Sequence, residues 1–113
     1  MNCCKQIEQQ IKKKESTLKI LEKKATDALA TLTQVMVQGD WGQVFIYEKY
    51  MKRLLRKVVK IIKSLFNTLV YTPGPESLPK RILNKSDQVI DYAVNIEKFL
   101  KSNLMLVCYP SML

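Results

Sequence analysis

Three cysteines and a large excess of amines are the reactive side chains of this chain, and their placement limits the chemistry open to it. Cys3 and Cys4 are adjacent, and Cys108 stands alone near the other end. A thiol becomes a working nucleophile beside a base or a cation that lowers its pKa, and the commonest such base is missing: the 113 residues contain no histidine. The same absence removes the commonest zinc ligand, and the cysteines lack the paired C-x-x-C spacing that holds a tetrahedral ion. Only three glycines occur, Gly39, Gly42 and Gly74, so no glycine-rich loop can cradle a phosphate. A cysteine or serine–lysine nucleophile stays formally open, and nothing singles out a residue for it. The expectation is a non-enzyme with no catalytic residue, no metal and no cofactor.

What the thiols could undergo is modification. Adjacent Cys3 and Cys4, followed by Lys5, suit S-acylation, and two acyl chains aided by basic residues can hold a protein on a membrane surface. The alternative is two small side chains at a frayed helix start. Neighbouring cysteines rarely bridge and an odd number leaves one thiol free, which points to a reducing compartment. No basic segment leads into an apolar core and cleavage site, and no apolar run approaches the length needed to span a bilayer. The cytoplasm is therefore expected, with cytoskeletal and nuclear positions both open.

Charge is the stronger signal. Nineteen Lys and Arg against ten Asp and Glu give a formal net charge of +9, so the counterparts are expected to be acidic: nucleic acid, an anionic membrane, a tubulin-like surface or acidic helices. Residues 49–63 carry Lys49, Lys52, Arg53, Arg56, Lys57, Lys60 and Lys63 with no acid among them. Lys49, Arg53, Arg56, Lys60 and Lys63 follow a four-three spacing, which makes one row about 21 Å long at 1.5 Å per residue of helix. Like charges so placed repel by a few tenths of a kcal/mol per close pair. Either an anionic partner relieves that repulsion or the row is a solvated face of a basic protein. Base reading needs polar and aromatic side chains aimed at base edges, whereas Phe45, Tyr47 and Tyr50 precede the densest charge. Nucleic-acid binding, if it occurs, is expected to be non-specific.

These residues need helices to position them. Cys4, Ile7, Ile11, Lys14, Leu18, Leu21, Ala25, Ala28, Leu32 and Val35 alternate steps of three and four, a heptad seam broken only by Lys14. Lys14 either fixes register or runs its aliphatic stem out to water. Glu8 to Lys12 and Glu15 to Lys19 are spaced for ion pairs within that helix. Gly39 suits the left-handed position after a helix, and Asp40 with Gln43 has the spacing of an N-cap with a reciprocal partner. Trp41 beside that cap reads as a packing anchor in preference to a base-stacking residue. A second seam runs through Val44, Tyr47, Met51, Leu54, Val58, Ile61 and Leu65, and a parallel row through Leu55, Val59, Ile62, Phe66 and Leu69, so this helix is expected to touch two neighbours. Thr72-Pro73-Gly74-Pro75 ends it, and Pro79 fits the first turn of a third helix striped by Ile82, Val89, Ile90, Ala93, Ile96, Leu100 and Leu104.

The expected fold is a single all-α domain spanning 1–113, a three-helix up-down-up antiparallel bundle with helices over about 4–37, 41–71 and 79–106. An apolar tail follows over 107–113. Being apolar to its end from Leu104 onward, this stretch is expected to dock, on its own bundle or on another subunit. Helix 1 is expected to overhang helix 3 and leave part of its seam for another chain.

Met36-Val37-Gln38, then Ile46-Tyr47-Glu48-Lys49-Tyr50-Met51-Lys52-Arg53-Leu54-Leu55, then Val59, Ile62 and Leu65 make a pattern of paired tyrosines, tyrosine-methionine and double leucine ahead of an apolar helix. It resembles the helical C-terminal half of the second subunit of the augmin complex over about 30 residues, and helix 3 agrees in type and length. The resemblance implies an obligate coiled-coil subunit of a spindle assembly that binds microtubules and recruits the gamma-tubulin machinery. It assigns no contact residue. The expected function is thus a helical assembly subunit. Its packing seam is Ile7, Ile11, Leu18, Leu21, Leu32, Tyr47, Met51, Leu54, Val58, Ile61 and Leu65, and its basic ridge is Lys49, Arg53, Arg56, Lys60 and Lys63. A basic bundle binding nucleic acid and a membrane-peripheral protein anchored at Cys3 and Cys4 are the alternatives.

Overall fold

In the computed structural model the chain is all-helical: α1 spans Asn2–Val37, α2 Trp41–Tyr71 and α3 Lys80–Cys108. The structure describes residues 2–71 and 78–108, with side chains over 5–67 and 78–105, and there is no strand among them. The Thr72–Pro75 connection, the tail beyond Cys108 and the side chains of Cys3, Cys4 and Cys108 lie outside the described residues.

Two short sequences set the ends of the helices. Gly39 takes φ 72°, where a side chain would be strained. That turn lets the Gly39 N–H donate to Met36 O (3.1 Å) and the Asp40 N–H to Val35 O (3.0 Å), the paired bonds that close a helix C-terminus. The Asp40 carboxylate then accepts from the Gln43 N–H at 3.3 Å and opens α2. The expected reciprocal bond from Gln43 to the Asp40 N–H does not form, because that N–H is already spent on Val35. Pro79 stands at the start of α3, where its carbonyl accepts from Ile82 and Leu83 (2.9 and 3.2 Å), the first bonds of the helix's first turn.

One continuous core joins the three helices. Ile7, Ile11, Leu18, Leu21, Ala25, Ala28 and Leu32 of α1 are buried; so are Val44, Met51, Leu54, Val58 and Leu65 of α2, and Ile82, Val89, Ile90, Ala93, Ile96, Leu100 and Leu104 of α3. Tyr47 and Ile61 are half-buried beside it, as are Leu55 and Ile62 of the second row. Lys14 is half-buried and Phe66 is exposed. Ser86 is the exception inside: it is 1% exposed, and its hydroxyl has no hydrogen-bond partner.

The polar contacts between α1 and α3 climb in step. Arg81 donates to Glu8 (2.9 Å), Lys85 to Glu15 (2.8 Å) and the Tyr92 hydroxyl to Glu22 (2.8 Å). The three glutamates are seven residues apart, so they line one flank of α1. Two expectations change as a result. Glu8 and Glu15 reach across to α3, where a fixed partner helix offers closer cations than their own next turn does. The start of α3 also lies level with Glu8, so α1 does not overhang it at that end, and the α1 seam is buried by the chain's own helices from Ile7 to Leu32.

Candidate interaction surface

With the inner seams used within the chain, the outward faces are what a partner would meet. α2 has seven cations and a single acid, Glu48. Lys49, Arg53, Arg56, Lys60 and Lys63 are all exposed. The apolar positions at 44, 51, 54, 58 and 65 define the inner side of the helix, and a residue two or five positions away falls on the opposite side. Glu48 pairs with Lys52 at 2.9 Å, while the α1 glutamates face α3. Among the described residues, none of the five ridge cations makes an ion pair. Glutamates of α1 thus bond to Arg81, Lys85 and Tyr92 of α3, while the five ridge cations of α2 face outward.

Beside the ridge runs a groove between α1 and α2. Its lower part is lined by Thr17, Ile20, Leu21, Lys24, Lys57, Lys60 and Ile61. Its upper part is lined by Lys24, Asp27, Ala28, Thr31, Ile46, Tyr47, Tyr50 and Arg53. Lys24 belongs to both, and α1 numbers rise along the groove as α2 numbers fall. Ile20 and Ile46, 56% and 57% exposed, stand on its walls as large apolar side chains in water. The sequence reading missed both, because neither lies on a seam; the signal was two isoleucines off the inner stripe, each within reach of a lysine or arginine.

Trp41 is not a packing anchor. It is 54% exposed, and Phe45, one turn on, is exposed too, because both lie on the flank of α2 beyond the reach of the core. The α1–α3 side also carries one perturbed acid. Burial, the hydrogen bond to Glu22 and the negative charges of Glu22 and Glu15 together push the Tyr92 hydroxyl up to about 12.

Among the described residues no helix is long and apolar enough to cross a membrane, and no three His, Cys, Asp or Glu side chains converge as a metal site. Cys3 and Cys4 fall on the first turn of α1, where only the backbone is described. The structure thus brings the ridge cations together with an apolar groove that the sequence did not reveal. Compared with protein-family models, curated proteins and solved structures, the chain matches none.

Proposed function

We propose that this chain is a non-enzymatic assembly subunit, an up-down-up antiparallel three-helix bundle that presents the basic face of α2 to an acidic partner protein. The observation that carries this reading is the ridge: five exposed cations in a row of about 21 Å, without a carboxylate partner among the described residues. Such a row repels itself in isolation, and it is relieved by an anionic surface of matching length. The contacts climbing in step along α1 and α3, and running in opposite order along α1 and α2, support the bundle. The buried heptad positions support coiled-coil-like packing.

The resemblance of residues 36–65 to the augmin subunit supports a place in a microtubule- or spindle-associated complex. In that setting the ridge meets either the acidic microtubule surface or acidic helices of sister subunits. Affinity capture of the tagged chain from dividing cells, after nuclease treatment, tests this reading. We expect a stoichiometric set of helical proteins, and we expect Arg53→Glu, Arg56→Glu and Lys60→Glu together to reduce capture at least tenfold while helicity by circular dichroism is kept. Undiminished capture by the triple variant refutes the ridge. Recovery of nucleic acid alone, lost with log affinity falling linearly in log salt, refutes the assembly role.

A further inference from the structure

The groove between α1 and α2 gives that partner a shape. Its α2 wall is Ile46, Tyr50, Arg53, Lys57 and Lys60, spaced four, three, four, three; its α1 wall is Thr17, Ile20, Lys24 and Thr31, again on three-four spacing when Asp27 or Ala28 is counted. These are heptad rows on the outside of the molecule, distinct from the buried seams. A helix laid between two such walls meets knobs and holes at the repeat of its own side chains.

The walls differ in kind along and across the groove. Ile20, Ile46 and Tyr50 on the walls and buried Leu21 and Ala28 between them supply its apolar surface. Lys24, Arg53, Lys57 and Lys60 crowd its rim, and Asp27 is the acidic side chain that lines it. From Thr17 to Thr31 the walls run about 21 Å, the length of a helix of about 14 residues at 1.5 Å per residue. α3 packs along the other flank of α1, through Glu8, Glu15 and Glu22, and leaves this side open.

We infer that the α1–α2 groove is the docking site for one amphipathic helix of a different protein, with apolar side chains at its a and d positions and Asp or Glu at the flanking positions. Charge selects the occupant. A second copy would bring its own seven α2 cations against these, in a chain of net charge +9. Such like-charge juxtaposition disfavours the pair, whereas an acidic flank meets Lys24, Arg53, Lys57 and Lys60 favourably. The docked helix makes the fourth member of a four-helix arrangement, covering Ile20 and Ile46.

The inference rests on the assembly reading and names the class of its partner. The test uses the full chain and two labelled 21-residue peptides, one with leucine at a and d and glutamate at e and g, the other with lysine in place of every glutamate. Fluorescence anisotropy should show saturable 1:1 binding of the acidic peptide at 0.1 M salt and none of the lysine peptide. Ile20→Ser with Ile46→Ser should weaken binding at least tenfold with an unchanged melting temperature, since both side chains are already in water. Arg53→Glu with Lys57→Glu should do the same and abolish the salt dependence. Equal binding of the two peptides, no binding of either, or indifference to the Ile20 and Ile46 substitutions overturns the groove. A duplex oligonucleotide that displaces the peptide and ignores the isoleucines assigns the surface to phosphate. The groove fails alone if the Ile20→Ser, Ile46→Ser chain still captures its cellular partners in full; the assembly reading fails if the unaltered chain captures none.

Discussion

Replacing Leu18 with alanine probes whether the inner seam belongs to this chain or to a partner. Leu18 is fully enclosed, at 0% exposure, in the middle of α1. The substitution removes three carbons, at about 0.8 kcal/mol of transfer free energy each, which gives about 2.4 kcal/mol before any cavity is counted. Partial collapse of the surrounding side chains leaves a void, and leucine-to-alanine losses at such sites run from about 2.7 to 5 kcal/mol. For a chain of 113 residues the unfolding entropy is about 0.24 kcal/mol per kelvin, so a loss of 3 kcal/mol lowers the midpoint by about 12 °C. The measurement is thermal and urea denaturation of the isolated chain followed at 222 nm. Ile20→Ala is the internal control: two residues away on the same helix, but 56% exposed, it should cost no more than about 0.5 kcal/mol. A Leu18→Ala cost below about 1 kcal/mol in the isolated chain, or equal costs for the two, would refute the conclusion that the seam is satisfied within one molecule.

Two further outcomes follow from single groups. Ser86→Ala should raise stability by about 1 kcal/mol, because a buried hydroxyl without a partner costs its desolvation in the folded state alone; a loss of stability on urea denaturation would show that the hydroxyl is bonded. Tyr92 ionises with a pKa pushed up to about 12 in the folded chain, against about 10 unfolded, so its contribution is complete below pH 10 and is lost as pH rises through 12. Tyrosinate absorbance should therefore contain a late component that disappears in Tyr92→Phe, and the variant's stability should fall less between pH 10 and 12. If the absorbance lost in Tyr92→Phe is centred near pH 10 and not near 12, Glu22 is not its partner.

The parts of the molecule legible in sequence are those governed by one helix at a time. The inner stripes of α1, α2 and α3 could be read because burying one face of a helix forces apolar residues into a three-four alternation. The turn at 38–40 could be read because few residues other than Gly39 tolerate φ 72° and few others cap as Asp40 does. Features set by neighbouring helices were not legible. Glu8 and Glu15 have lysines four residues on, yet they bond to Arg81 and Lys85, which are far away in sequence. Trp41 is large and apolar, which suggests an anchor, but whether any surface reaches it depends on where α3 passes. The groove is the clearest case: Ile20 and Ile46 acquire meaning only once α1 and α2 lie side by side, since periodicity along one helix says which side is inward and nothing about what two outward flanks enclose together.

The long axis of the molecule is 57 Å, and α1 alone, with 36 residues, accounts for about 54 Å of it. No break interrupts α1 along that length, and α2 and α3 are packed against it. The molecule is thus a strut. Whatever engages the Asn2 end of α1 and whatever engages the turn at Gly39 are held a fixed distance apart, roughly ten times the pitch of the helix between them. A pull or push at one end is transmitted to the other along a column three helices thick, with no hinge along α1 to absorb it.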